Sequence, residues 1–253
     1  MKRILASSLT AILLGFFGVS PLPVLAQQKN TDHFSQYWIR YFNRSQLNNK
    51  WTVQTEIELR RFAFPDRQHV WLLPRIQLTR ALKSGWNVGA GITYNIQSQP
   101  QDPDLPVELR RPEIRLHQEI NYRHGNKLDI SHRYRIEERF IRRTSGAHLD
   151  DGYNFNVRFR YRIQLQYPLI RGTDNKGTLQ AKLFDEIMLN AGKNVVSNVF
   201  DQNRIYAALN YSFSKNLQVE LGYLNIFQEK SNGSDFLNTN VLRTTIYHTL
   251  TLY

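Results

Sequence analysis

Cysteine is absent from this 253-residue chain, which excludes disulfide frameworks and cysteine-ligated zinc sites. Acidic residues are few, since 21 Asp and Glu stand against 33 Lys and Arg. No apolar segment reaches the ~20 residues that a membrane-spanning helix needs, so a polytopic helical membrane protein is excluded. The basic residues form neither a clustered patch nor a basic helix. We therefore expect no nucleic-acid partner despite the formal net charge of +12.

The beginning of the chain has the composition of a secretory signal peptide. Two basic residues precede a mostly apolar run at 4–19, and small or apolar residues lead up to Ala26. The run is too short for a spanning helix, which favours cleavage after Ala26 over an uncleaved membrane anchor. We predict a signal peptide at 1–26 and a single exported domain at 27–253.

The rest of the chain alternates between apolar and polar residues with a period of two. From Tyr153 to Tyr167, aromatic and aliphatic residues occupy every second position, and arginine, asparagine and glutamine fill the positions between them. A helix cannot produce this period, whereas a strand with two different faces does. Similar alternation begins at Trp51 and at Trp86. The pattern predicts strands at about 34–44, 51–62, 70–82, 86–96, 110–122, 128–140, 153–167, 178–190, 203–214, 217–228 and 240–253.

The strand lengths and connections are typical of an outer-membrane barrel. Most segments are about 11 to 14 residues long, which suits a tilted membrane strand better than a strand of a soluble sandwich. Short turns alternate with longer polar loops, aromatic residues lie near the short turns, and the chain ends on Tyr253. The predicted long loops are 97–109, 141–152, 191–202 and 229–239.

These features predict an all-β fold, an antiparallel up-and-down transmembrane β-barrel. Eleven segments conflict with the even strand number expected of a bacterial barrel, so we predict about 10 to 12 strands. A soluble barrel with its apolar face inward is the alternative that alternation alone leaves open.

Five segments, in their order along the chain, carry a family resemblance: His132–Phe140, Arg158–Arg162, Asp185–Glu186, Phe200–Arg204 and Leu221–Tyr223. Together they resemble the bacterial family called domain of unknown function 2490, over nearly the whole exported domain. The resemblance implies a barrel in the outer membrane of a Gram-negative bacterium and no established activity. Asn95 is a departure, because the family pattern leads us to expect an arginine there.

If the apolar face contacts lipid, the polar face must line the lumen. Alternation directs charged residues inward, among them Glu56, Glu58, Arg60, Arg75, Lys182 and Glu220. Eleven further inward charges are the candidate lumen or ligand-binding residues. They are Arg115, Glu119, Arg133, Arg135, Glu137, Arg139, Arg158, Arg160, Arg162, Glu186 and Arg204.

Arginines in a narrow interior need carboxylate partners, and Glu119, Glu137 and Glu186 are the predicted ones. Two interpretations stay open at this point. The lumen is either a salt-bridged interior that only stabilises the barrel, or a narrow passage or pocket whose positive lining favours anions.

A catalytic site is the competing hypothesis. His148, Asp150 and Asp151 lie close together in the predicted loop 141–152, and a histidine beside carboxylates can activate water or bind a cation. These residues would make the protein a rim hydrolase or a lipid-modifying enzyme. A solvated loop with an Asp-Gly turn explains the same residues. No HExxH, GxSxG, phosphate-loop or dinucleotide motif occurs, and we predict no metal and no cofactor.

The predicted partners are those of the outer membrane. Lipid and lipopolysaccharide would contact the outer face, and the barrel assembly machinery would bind the C-terminal strand that ends at Tyr253. We expect a monomer.

Overall fold

The protein is described by a computed structural model that covers residues 30–173, 176–192, 195, 199–230 and 232–253. The predicted signal peptide at 1–26 lies outside the described residues. No helix in the described ranges is long and apolar enough to cross a membrane.

The regular structure of these ranges consists of β-strands. Each strand overlaps one predicted segment, and most strands are longer than predicted. The eleven strands are β1 Thr31–Gln46, β2 Trp51–Phe62, β3 Arg67–Ala81, β4 Trp86–Gln99, β5 Leu109–Gly125, β6 Asp129–Ser145, β7 His148–Ile170, β8 Thr178–Ala191, β9 Phe200–Ser212, β10 Leu217–Glu229 and β11 Phe236–Thr251.

The strands form one closed barrel in which each strand pairs with its neighbours along the chain. All consecutive pairs are antiparallel, whereas β1 and β11 close the barrel in parallel, from Thr31↔Phe236 to Gln46↔Thr251. In an odd number of alternating strands the first and last run in the same direction, so their pairing must be parallel. The predicted all-β barrel of 10 to 12 strands is confirmed. The strand number in the described ranges is eleven and not even, because a parallel pair of the first and last strands also closes a barrel.

The strands are strongly staggered around the barrel. Register partners followed once around from Gln46 lead back to β1 at Asp32, fourteen residues earlier in the same strand. Stagger of this size goes with strands tilted by roughly 40° from the barrel axis. The tilt explains why the strands are long.

The two ends of the barrel differ in their connections. One end, the turn end, has connections 47–50, 82–85, 126–128, 171–177 and 213–216. The other end, the loop end, has connections 63–66, 100–108, 146–147, 192–199 and 230–235. Because the strand number is odd, β1 starts at the loop end and β11 finishes at the turn end.

One predicted loop is wrong. Residues 141–152 belong mostly to β6 and β7, which continue as a hairpin until Ser145 pairs with His148. Glycine and aspartate are depleted in strands, but the cross-strand ladder satisfies the backbone here and leaves only a two-residue turn.

The faces of the barrel are reversed relative to a water-soluble protein. Ile57 and Phe159 point outward with 45% and 46% of their surface exposed, whereas Glu58 and Arg160, one position along, are 1% and 8% exposed. Successive side chains of a strand point to opposite faces, so the alternation in the sequence becomes an apolar exterior and a charged interior.

The interior is not charged throughout. An apolar cluster covers the wall formed by β1 and β8 to β11, where Tyr206 is 1% and Leu224 is 0% exposed. The charged residues are concentrated on the wall formed by β2 to β7. The members of the apolar cluster are Trp38, Phe184, Tyr206, Ala208, Leu224, Ile226 and Val241.

Candidate functional site

Glu137 on β6 is the centre of the charged interior and is fully buried. Its Oε2 accepts hydrogen bonds from Arg158 Nε at 2.9 Å and Nη2 at 2.6 Å, and its Oε1 accepts one from Arg160 Nη1 at 2.5 Å. Arg115 and Arg135 come within 3.8 Å and 3.7 Å of the same carboxylate. One acidic residue therefore balances guanidinium groups from three strands, β5, β6 and β7.

Glu186 on β8 is the second centre. Arg160 donates to it from Nε at 3.1 Å and from Nη2 at 2.8 Å, and Arg133 donates to its Oε1. Arg160 thus bridges Glu137 and Glu186. Bidentate geometry of this kind is the strong form of an arginine–carboxylate pair.

The ion pairs continue toward both ends of the barrel. Near the loop end, Glu113 accepts from Arg139 Nε at 2.6 Å, and Asp201 accepts from Arg158 Nη1 at 2.9 Å. Further pairs are Arg115–Glu113, Arg135–Glu119, Arg75–Glu56, Arg40–Glu56, Arg60–Glu58, Arg243–Glu58 and Lys182–Glu220.

We call these residues, together with Arg162 and Arg204, the lumen network. It contains thirteen basic residues and eight acidic ones, which leaves five positive charges without an acidic counterpart. The basic residues are Arg40, Arg60, Arg75, Arg115, Arg133, Arg135, Arg139, Arg158, Arg160, Arg162, Lys182, Arg204 and Arg243; the acidic ones are Glu56, Glu58, Glu113, Glu119, Glu137, Glu186, Asp201 and Glu220.

All eleven residues predicted for the lumen lie in this network. Nine of them form ion pairs: six are arginines, and three are the predicted carboxylate partners Glu119, Glu137 and Glu186. Arg162 and Arg204 are inside as well, but the ion pairs of the described residues do not include them. Arg162 lies over the Phe184 ring at 5.2 Å, and Arg204 donates to Gln202 at 2.7 Å.

Sequence reasoning missed two of the acidic partners. Glu113 has the same parity as Arg115 on β5, so the alternation contained the signal. Asp201 has the opposite parity to Arg204, and a register shift between Met188 and Leu189 of the neighbouring strand turns it inward. A bulge re-aims a side chain in this way, and alternation cannot show it.

The predicted catalytic residues His148, Asp150 and Asp151 lie at the start of β7, beside the two-residue turn. Asp150 accepts a hydrogen bond from Ser145 at 2.5 Å, and Asp151 pairs with Arg142 at 3.0 Å. His148 and Asp150 share one strand face, whereas Asp151 lies on the opposite face. The described residues contain no group of three or more His, Cys, Asp or Glu side chains that could hold a metal ion.

His132, which faces outward, belongs to an aromatic stack near the turn end. Its ring lies parallel to His124, with centroids 5.4 Å apart, and its Nδ1 is 2.9 Å from the Tyr161 hydroxyl. Trp86 and Tyr122 stack at 4.6 Å beside them. Both ring nitrogens of His132 therefore have hydrogen-bond partners within the apolar face.

Below the network, a cavity of about 720 Å³ occupies the turn-end half of the lumen. Arg133 and Arg162 border it, as do Phe184 and Tyr247. Arg44, Arg123 and Asp129 line the cavity closer to the end of the barrel, where the rest of its wall consists of uncharged amides and hydroxyls. They are Thr52, Gln54, Thr79, Asn87, Asn121, Ser131, Gln164, Gln166, Gln180, Asn210, Ser212 and Gln218.

Comparison with known proteins identifies a family. The model of the family described as a protein of unknown function (DUF2490) matches residues 35–237, which is most of the barrel. The chain belongs to the DUF2490 family. No curated protein and no solved structure matches it. In this DUF2490 barrel the match begins within β1 and ends at the start of β11, so most of β1 lies inside the matched range and most of β11 lies beyond it.

Proposed function

We propose that this DUF2490 protein is an outer-membrane β-barrel whose ion-paired interior attracts anions and closes the lumen to ion flow. The observation that carries the proposal is the reversal of its faces: apolar residues cover the outside while the lumen network fills the inside. In water such an exterior is unfavourable, since transfer from water is worth ~25 cal/mol per Å² of apolar surface. In lipid it is the expected arrangement, and closure leaves no strand edge unpaired.

Aromatic residues near the turn end support the same location. Trp86, Tyr122 and Tyr167 lie near strand ends on this side, where amphipathic rings favour the boundary between lipid and water. Tyr253 follows β11 at the same end and is 64% exposed. This exposed ring supports the proposal that the barrel assembly machinery of a Gram-negative cell binds β11. Lipid and lipopolysaccharide would then contact the outer face of a monomer.

Closure of the lumen is proposed from the burial of the network. Glu58, Glu137 and Glu186, on three different strands, are each exposed by 2% or less. Their arginine partners cross the interior between the strands, and ion pairs so fully enclosed leave little room for hydrated ions. The excess of positive charge favours a second candidate, a narrow passage for anions, which would need the network to rearrange.

Planar-bilayer conductance separates these two candidates. We expect a protein that shows a heat-dependent gel shift, and is therefore folded, to give no stable openings. Stable anion-selective openings would instead establish the passage, and Arg160→Glu should then weaken the anion preference.

The location can be tested by labelling, because the chain has no cysteine of its own. We expect the outer membrane to contain the protein after fractionation. Asp104→Cys and Asp32→Cys, both at the loop end, should react with an impermeant maleimide on intact cells, whereas Asn48→Cys at the turn end should react only after the outer membrane is opened. Recovery in the soluble fraction, or the reverse labelling, would contradict the proposal.

A further inference from the structure

We propose that the turn-end cavity binds a hydrophilic solute through a carboxylate or phosphate group held between Arg133 and Arg162. This proposal deepens the anion-attracting interior proposed above and rests on it. It names the ligand class, the two residues that bind it and the end from which it enters.

Arg133 and Arg162 are two neighbouring positive charges with only one carboxylate, Glu186, near both of them. They are direct register partners on β6 and β7, a position in which like charges repel. The nearest shared carboxylate, Glu186, already accepts from Arg133 and Arg160. Arg162 has no ion pair among the described residues, although its register partner on β8 is Glu186. An anion between the two guanidinium groups would supply the missing counter-charge.

The chemistry of the two groups favours oxyanions over chloride. A guanidinium is planar and presents paired N–H donors that match the two oxygens of a carboxylate or phosphate. Nε of Arg133 has no hydrogen-bond partner, so this guanidinium has donor capacity that the protein leaves unused. A spherical chloride ion is attracted by the positive charge, but it cannot accept the paired N–H donors with two separate oxygens as a carboxylate or phosphate does.

The walls of the cavity define the rest of the ligand. The amides and hydroxyls toward the turn end can donate and accept hydrogen bonds, and Arg123 and Asp129 pair with each other there, so this wall suits a polar body such as a hydroxylated chain or ring. The volume of about 720 Å³ lies within the usual range for small-molecule pockets. Because the cavity occupies the turn-end half of the lumen, the solute enters from the turn end.

Arg204 provides a matched control within the same interior. Like Arg162 it is a partly buried, inward arginine without an ion pair among the described residues, and both have Glu186 as a register partner. It stacks near Trp38 instead, at 5.6 Å, and does not border the cavity. If anion binding depends only on the total positive charge of the lumen, substitution of either arginine should weaken it. If anion binding depends on the proposed site, only substitution of Arg162 should weaken it.

The test is thermal unfolding of the protein in non-ionic detergent, with inorganic phosphate or chloride at matched ionic strength. We expect phosphate to raise the midpoint by about 5 to 10 °C near saturation, and chloride to raise it much less. The shift should persist in Arg204→Gln and disappear in Arg162→Gln. Gln164→Glu, which adds a carboxylate one position along the same face from Arg162, should raise the midpoint without phosphate and remove most of the response to it.

Several results would overturn the site. These are an equal response to chloride and phosphate, no phosphate shift in a correctly folded protein, or a shift that survives in Arg162→Gln. If Arg162→Gln does not fold, Arg162→Lys should fold, and phosphate should stabilise it less than it stabilises the unmodified protein.

A further experiment adds phosphatidylglycerol to the micelle and leaves out phosphate. Stabilisation by the lipid alone would assign the anion to a headgroup and reject a free solute. None of these outcomes depends on conductance or on cellular location.

Discussion

Replacement of Glu137 by glutamine is the sharpest test of the lumen network. The substitution keeps the size of the side chain and one oxygen acceptor, but it removes the charge that Arg158 and Arg160 contact at 2.5 to 2.9 Å. Both arginines are buried, so neither regains water as compensation. Removing one partner of a buried ion pair costs about 3 to 5 kcal/mol of stability. Because glutamine keeps one oxygen acceptor, we expect Glu137→Gln to lower the free energy of unfolding by about 3 kcal/mol.

The measurement is equilibrium urea unfolding in phospholipid vesicles, followed by fluorescence of the four tryptophans. A loss of about 3 kcal/mol lowers the folding equilibrium constant by roughly two powers of ten. Glu138→Gln is the matched control, because Glu138 is the next residue of β6 and points to the opposite, outer face. We expect Glu138→Gln to leave the free energy of unfolding unchanged or to raise it, because the substitution removes a charge from the apolar exterior.

The reasoning would be refuted by a loss below about 1 kcal/mol in Glu137→Gln, or by an equal loss in the Glu138 control. Either result would mean that the network is sufficiently hydrated to screen its charges, and the lumen would then not be closed.

Three further predictions concern other parts of the barrel. Gly222→Ala should destabilise by about 1 to 3 kcal/mol in the same unfolding assay, because its new Cβ would lie 2.5 Å from the Tyr206 ring; an unchanged midpoint would show that Tyr206 can move freely. Hydrogen bonds from Arg61 and Tyr37 hold the pKa of Asp66 below its ordinary value, so Asp66 should contribute stability above pH ~4 that is lost as pH falls through its lower folded pKa; a carboxyl NMR titration with an ordinary midpoint would contradict this. His148→Ala should change the free energy of unfolding by less than about 0.5 kcal/mol, as for an exposed residue without a buried partner, and a larger loss would reveal a contact that the structure does not show.

The course of the strands could be predicted from the sequence because side-chain alternation is local. Every second residue of a strand points the same way, so the positions of Arg158, Arg160 and Arg162 on one face follow from spacing alone. Their need for carboxylates also follows, since buried charges must be paired. For this reason all predicted lumen residues lie in the network, and Glu137 and Glu186 are at its centres.

Other features depended on contacts between distant parts of the chain. The 146–147 hairpin replaced a predicted loop because the β6–β7 ladder extends through polar residues. On the apolar face, the structure puts His132 beside His124 and Tyr161, which no local pattern predicts. The apolar cluster on one inner wall was likewise absent from the prediction, since strand parity assigns a face but not the neighbours across the lumen.

The sequence by itself determined that the chain is a series of long strands with an apolar and a charged face, because those properties arise within each strand. Only the tertiary structure decided how the strands close and which charges meet. Parallel pairing of β1 with β11 follows from the odd strand number, and the inward turn of Asp201 follows from a bulge. Arg162 has no ion pair among the described residues because Glu186, its register partner, pairs with Arg133 on β6 and Arg160 on β7. Register and stagger set those distances, and they are properties of the whole barrel.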